Sequence, residues 1–196
     1  MAVTKQAAVV LCAGAGSRYI GAQGEHKLLA IWRGRPLVSW ALGNAVAAGL
    51  DFTVVVTGAA QLADVLPKCG VIAVANPDWE EGLATSLQCA IAACRRLGAA
   101  AAVVGLGDQP LVPPEAWRAV AACGAAVAVA TYGGRRGHPV KLACSVWDDL
   151  PASGDEGARA LMRRQAELVE EVPCEGDPAD FDTAGDFAVR FGSPAR

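Results

Sequence analysis

Basic residues never gather into a patch in this sequence. Pairs such as Arg135-Arg136 and Arg163-Arg164 are the extent of the clustering, and the formal net charge is −3. That balance removes the electrostatic footprint of a nucleic-acid binder and the polybasic stretch of a protein held on an anionic membrane. Long apolar runs are missing too: the longest, Ala119–Ala130, is too short for a bilayer and is broken by Gly124. The seven cysteines form no Cys-x-x-Cys pair and are odd in number, which argues against a disulfide framework or a structural zinc site. Cys69, Cys89, Cys94, Cys123 and Cys144 are expected instead as small core residues in a reducing cytoplasm. Lys5 followed by Ala7–Ala13 faintly imitates a signal peptide, but the segment serves equally well as a first buried strand. No internal repeat, low-complexity tract or linker divides the chain, and its 196 residues suit one α/β domain with a substantial core.

Three familiar motifs are also absent. A dinucleotide fingerprint fails because Tyr19 stands where its third glycine belongs. No Gly-Lys-Ser/Thr string closes a Walker loop. No Gly-x-Ser-x-Gly elbow exists, so Ser17 is not marked as a nucleophile. What is present is the apolar run Ala7–Ala13, then Gly14-Ala15-Gly16-Ser17-Arg18, then Lys27 opening Leu28-Leu29-Ala30-Ile31. A buried strand that runs into a glycine turn leaves backbone N–H groups at its end. With Arg18 and Lys27 close by, such groups suit a polyphosphate. A tight turn with solvated charges is the plain alternative.

Continuously apolar runs over Ala7–Cys12, Phe52–Thr57, Val71–Ala75, Ala101–Leu106 and Ala126–Thr131 predict strands buried on both faces. Helices are expected between them. Leu37–Ala48 is framed by Pro36 and Gly49, Ala84–Leu97 starts near Thr85 and stops at Gly98, and Pro114–Cys123 stops at Gly124. This alternation predicts a mostly parallel sheet with helices on both faces. Beyond Ala130 the pattern changes to a hairpin-like turn over Thr131–Val140 and a short helix over Ser145–Leu150. Glu156–Gln165 follows as a helix capped by Ser153 or Asp155, then a strand over Leu168–Val172 and a last helix over Ala184–Arg190.

Asp108 falls just past the strand Ala101–Leu106, where open α/β sheets bind ligands. A carboxylate there can hold Mg²⁺, with Asp182 as the second carboxylate. The competing readings are a turn aspartate for Asp108 and a helix N-cap for Asp182. Asn76 precedes Pro77 and could be an ordinary turn residue, Ser86 could belong to a first helical turn, and His138 could be a hairpin histidine without a chemical part.

The loop Leu11–Arg18 with Lys27-Leu28-Leu29 resembles the signature of small-molecule nucleotidyltransferases of the MobA/MocA-like family. Matching segments follow in order: Asn76 through Leu87, Gly107-Asp108-Gln109-Pro110, Gly134 through Val140, Gly154 through Arg159, and Asp180-Phe181-Asp182-Thr183. The resemblance spans nearly the whole chain and implies one Rossmann-like three-layer α/β domain over residues 1–196, with a mostly parallel sheet, helices on both faces and a small hairpin. It implies transfer of CMP or GMP from an NTP to a phosphate of a small acceptor, molybdopterin, with Mg²⁺ as cofactor, pyrophosphate as leaving group and a molybdoenzyme as a partner. Carried over residue by residue, it makes Arg18, Lys27 and Asp108 catalytic and Asp108 and Asp182 metal ligands. Leu11, Ala13, Gly14, Ala15, Gly16, Ser17, Arg18, Lys27, Asn76, Gly82, Ser86 and Asp108 would bind the nucleotide. Arg136, Gly137, His138 and Asp155 would face the acceptor. Leu11-Cys12-Ala13-Gly14 is nearer the Leu-Ala-Ala-Gly of the cytidylyl branch than the Leu-Ala-Gly-Gly of the guanylyl enzymes, which leans toward CTP over GTP. One departure stands out: the family loop usually reads Arg-Met-Gly, whereas Arg18-Tyr19-Ile20-Gly21 carries an extra residue. Another small phosphate acceptor, or a nucleotide-binding module without catalysis, remain the alternatives.

Overall fold

The structure, a computed structural model, describes residues 4–16, 19, 26–67, 69–183 and 185–186. Its centre is a seven-stranded sheet. Strand β1 (Gln6–Cys12) lies between β4 (Phe52–Thr57) and β6 (Ala101–Leu106), and β5 (Ile72–Ala75) flanks β4. On the other side β6 is followed by β8 (Arg135–Ala143), β7 (Val127–Tyr132) and β9 (Val169–Pro173). All neighbours pair in parallel except β8, which is antiparallel to both β6 and β7. A separate two-stranded antiparallel hairpin joins β2 (Ile31–Trp32) to β3 (Arg35–Pro36).

Side chains alternate across a strand, so β1 feeds two cores. Ala7, Val9 and Leu11 pack with Leu87 and Ile91 of helix α2 (Leu83–Arg96) and Leu161 of α4 (Ala158–Arg164). Ala8, Val10 and Cys12 pack with Val38 and Leu42 of α1 (Leu37–Ala47) and Trp117 and Val120 of α3 (Pro114–Ala122). The expected three layers therefore form, with helices on both faces of a buried sheet. A third, smaller cluster holds Trp32, Leu37 and Phe181 at the edge of the candidate site. Among the described residues no helix is long and apolar enough to cross a membrane.

Several expectations need correction. β5 is not buried on both faces: Ile72, Ala73 and Ala75 are exposed, because the strand pairs with β4 alone and forms the sheet edge. The hairpin over Thr131–Val140 forms, but its arms are full strands of the main sheet, and β8 runs on to Ala143. Ser145–Leu150 is a 3₁₀ stretch over Cys144–Asp149. Helix α4 starts at Ala158 from Gly157, with no side-chain cap, so neither Ser153 nor Asp155 caps it. Helix α2 starts from Gly82; Thr85 lies inside its first turn, its hydroxyl 2.9 Å from the carbonyls of Asp78 and Gly82. Most of the helix expected over Ala184–Arg190 lies outside the described residues.

Candidate active site

Two neighbouring parallel strands, β1 and β6, end side by side, and both run into glycine-bearing turns. The amide of Gly107 donates to the carbonyl of Leu11 at 3.0 Å, and Ala59 N–H donates to Ala13 O at 3.0 Å. These bonds fix the exit of β1 between the exits of β6 and β4. Gly14 and Ala15 then emerge exposed. Ser17 and Arg18 lie outside the described residues.

The chain re-enters the site at His26-Lys27. Leu28 is 3 % exposed and sits in the core beside α1, which holds the Lys27 backbone in place. The Lys27 stem crosses Gly16: a Cβ on that glycine would approach Lys27 Cγ to 3.0 Å, and its φ of +63° suits glycine as well. The Lys27 ammonium ends between two carboxylates, 2.5 Å from Asp108 Oδ2 and 2.8 Å from Asp182 Oδ1. Burial pulls the Lys27 ammonium down, but the charge of Asp108 and the hydrogen bonds to Asp108 and Asp182 outweigh it and leave its pKa above the ordinary lysine value.

Asp182 arrives from far along the chain, held by its neighbours. Phe181 is fully buried, its ring edge-on to Trp32 at 5.2 Å, and its amide donates to Asp108 O at 3.1 Å. Gln109 Nε2 donates to Pro178 O and to Asp180 Oδ1, both at 2.8 Å, and so ties the incoming segment to the turn that carries Asp108. The following turn carries a reciprocal pair. Asp186 Oδ2 accepts from Thr183 N at 2.7 Å while Thr183 Oγ1 accepts from Asp186 N at 3.3 Å. Burial and the charge of Asp108 raise the Asp180 carboxyl above its ordinary value, a shift that the bond from Gln109 opposes.

The Lys27 ammonium balances the charge of the two carboxylates. One ammonium occupies a position that two hard carboxylate oxygens share. Mg²⁺ commonly uses one or two protein carboxylates and completes its shell with water and phosphate. Among the described residues no group of three or more His, Cys, Asp or Glu could hold an ion unaided. The residues present therefore fit a cation brought in together with a phosphate ligand.

Beside the carboxylates opens a cavity of about 510 Å³. Leu11, Leu83, Leu87, Leu106, Val129, Val140 and Met162 give it apolar walls, and Gln109 and Asp180 lie on its border with the Lys27 site. Arg136, Gly137, His138 and Arg159 also line it. The β7–β8 register explains His138: Val129 pairs with Val140 but Ala130 pairs with Gly137, so His138 and Pro139 form a bulge. A bulge re-aims a side chain and tolerates a proline that donates no ladder bond. The His138–Pro139 peptide is cis. Burial, reinforced by the Arg159 charge and opposed by Asp108, lowers His138 to about 4, so the imidazole is neutral at pH 7. Arg136 pairs with Glu171 at 2.8 Å, and Arg163 pairs with Glu156.

Other residues singled out in the sequence form a second cluster. Asn76 is 2 % exposed; its amide donates to Thr85 Oγ1 and Ser86 Oγ at 3.0 Å each, and its Oδ1 accepts from Asp78 N. Asn76 and Ser86 thus bind each other. Gly82 has φ +105°, and a Cβ there would lie 2.6 Å from the Gly154 carbonyl and 2.7 Å from Asp155 Oδ1. Two segments distant in sequence meet at that point, with Ala84 N–H donating to Gly154 O at 2.9 Å. Asp155 sits at this junction and not in the cavity wall. Sequence reasoning missed the cavity's apolar walls, which read as ordinary core, and the structural parts of Gln109 and His26.

A family model for the MobA-like NTP transferase domain matches residues 8–169. Among solved structures, the chain is similar to Rv0371c from Mycobacterium tuberculosis H37Rv, with 28 % identity, TM-score 0.82, and 97 % and 99 % of the two chains covered. A second is a nucleotidyl transferase from Methanothermobacter thermautotroptrophicus, Mth528, at 25 % identity, TM-score 0.81 and 95 % coverage of both chains. A third is a complex of Rv0371C with manganese, at 27 % identity, TM-score 0.77, and 97 % and 100 % coverage.

Proposed function

Because the chain belongs to the MobA-like NTP transferase domain family, we propose that it moves CMP, in preference to GMP, from an NTP to a phosphate of molybdopterin. The observation that carries this reading is the Lys27 ammonium shared by Asp108 and Asp182 at the ends of β1 and β6, next to a cavity with room for an acceptor.

The acceptor phosphate oxygen attacks the α-phosphorus, the bond to the β-phosphate bridge breaks, and its electron pair leaves on pyrophosphate. A phosphomonoester has a second pKa of about 6, so the nucleophile is already ionised and no protein base is needed. This agrees with a neutral His138, which would donate or accept a hydrogen bond without carrying charge. Asp108 and Asp182 would hold Mg²⁺, whose charge favours the phosphorane-like transition state. Lys27, the amides of Gly14, Ala15 and Gly16, and Arg18 would hold the triphosphate tail and neutralise the departing pyrophosphate. Leu11 and Ala13, with the Asn76–Gly82–Ser86 segment, would flank the base, and the preference for CTP rests on Ala13. Arg136, Gly137 and His138, with Arg159, would meet the anionic acceptor while the apolar walls take its ring body; Asp155 would act from the rim. A molybdoenzyme would receive the product. The same reading makes it a cytoplasmic protein, although Cys69 and Cys144 are exposed and not the core residues expected.

The test is direct. Purified protein with Mg²⁺, molybdopterin and CTP or GTP in competition is expected to release pyrophosphate with CTP favoured. Binding of NTP without turnover on any phosphate acceptor would overturn the catalytic reading.

A further inference from the structure

We infer that His26 is a positioning residue that sets the glycine loop for a triphosphate; this rests on the phosphate-loop reading above. The imidazole spans the mouth of that loop. Its Nδ1 accepts the amide of Leu28 at 3.2 Å, and Nε2 lies 2.9 Å from the carbonyl of Gly14. With Nδ1 accepting, the proton is on Nε2, and Nε2–H donates to Gly14 O. One ring thus links the point where the loop begins to the point where the chain returns. The ring also packs over Gly16, where an added Cβ would come within 3.3 Å of Nε2.

The consequence follows from peptide planarity. In a trans peptide the carbonyl and the next N–H point in opposite directions. Drawing the Gly14 carbonyl toward His26 therefore turns the Ala15 N–H away from it, on a stretch where Gly14 and Ala15 are exposed. Without the imidazole that peptide is free to rotate, and a carbonyl turned toward a phosphate would repel it. A loop of amides is an anion site only while its carbonyls are held on the other side. Lys27, the next residue, supplies the charge; His26 supplies the orientation of the dipoles.

Inorganic triphosphate with Mg²⁺ is a probe that ignores the base, and binding is read by calorimetry beside that of Mg·CTP. His26→Ala is expected to weaken both about tenfold, the cost of one lost hydrogen bond of ~1.4 kcal/mol. In turnover the effect falls on KM for the nucleotide, with kcat and KM for the acceptor within about threefold. Gln places its amide nitrogen near the Nε2 position and Asn near Nδ1. His26→Gln is therefore expected to recover most of the affinity, and His26→Asn to resemble Ala. This Gln–Asn contrast decides the matter even if the Ala variant fails to fold. Equal losses in all three variants, or wild-type affinity in His26→Ala, would overturn the inference. If Lys27→Met also binds triphosphate as tightly as wild type, the phosphate-loop reading itself falls, and the inference with it.

Discussion

The amide of Phe181 donates to the carbonyl of Asp108 at 3.1 Å, and this one backbone bond sets the two candidate metal carboxylates side by side. Asp182 is the next residue, so its reach to Lys27 depends on where Phe181 is anchored.

Phe181→Ala should cost about 3–5 kcal/mol of stability, the range for emptying a buried aromatic site. The more instructive variant is Phe181→Leu, which keeps an apolar anchor but loses the edge-on contact with Trp32. It is expected to fold, to bind Mn²⁺ more weakly in the presence of CTP, and to lose activity mainly in kcat. Titration of Mn²⁺ by electron paramagnetic resonance checks the first effect.

Lys27→Met removes the cation that both carboxylates share. Pyrophosphate release is expected to fall by at least about 100-fold, the scale for removing a group that stabilises developing charge. The fold should survive with a lower melting temperature, because Asp108 and Asp182 both lose their ion pair with Lys27. Adding Mg²⁺ should restore part of that stability in Lys27→Met more than in wild type, as a thermal melt with and without the ion would show.

His138 gives the chain a dependence on acid. Its folded pKa is lowered to about 4, so below its unfolded value near 6.5 the unfolded chain binds the proton that the folded chain refuses. Stability from this group is fully present above pH 6.5 and is lost as pH falls from there toward 4. Urea midpoints measured at pH 7.5 and 5.0 should differ less in His138→Gln than in wild type.

Gly82→Ala should be poorly tolerated. The added Cβ would meet the Gly154 carbonyl at 2.6 Å, and φ of +105° is unfavourable for any L side chain. Destabilisation of about 1–3 kcal/mol is expected, together with release of the Gly154-Asp155 turn. Hydrogen exchange at the Ala84 amide, which donates to Gly154 O, would report that release.

The sheet was legible in the sequence because its strands are uniform. Phe52–Thr57 and Ala101–Leu106 match the expected strands end to end, since strands covered on both sides are mostly apolar. The same rule misled at Ile72–Ala75, where composition alone cannot show that a strand lies at an edge. Lys27, Asp108 and Asp182, which the structure brings together, stood out because each sits in a distinctive string. The walls of the cavity were not, because Leu83, Leu87 and Val129 have the composition of core whether they face another side chain or a ligand. The bulge that turns His138 inward was equally silent, as it depends on the register between β7 and β8 and not on any local preference.

Among the described residues the last strand of the sheet, β9, ends at Pro173, yet Asp182 is translated only afterwards. A ribosome that stalls, or a protease that trims, just before Phe181 would thus leave a folded-looking body whose Lys27 has a single carboxylate to answer it. The two carboxylates of the candidate site thus meet only after the described sheet has been made, so a product cut between them would be an inert look-alike.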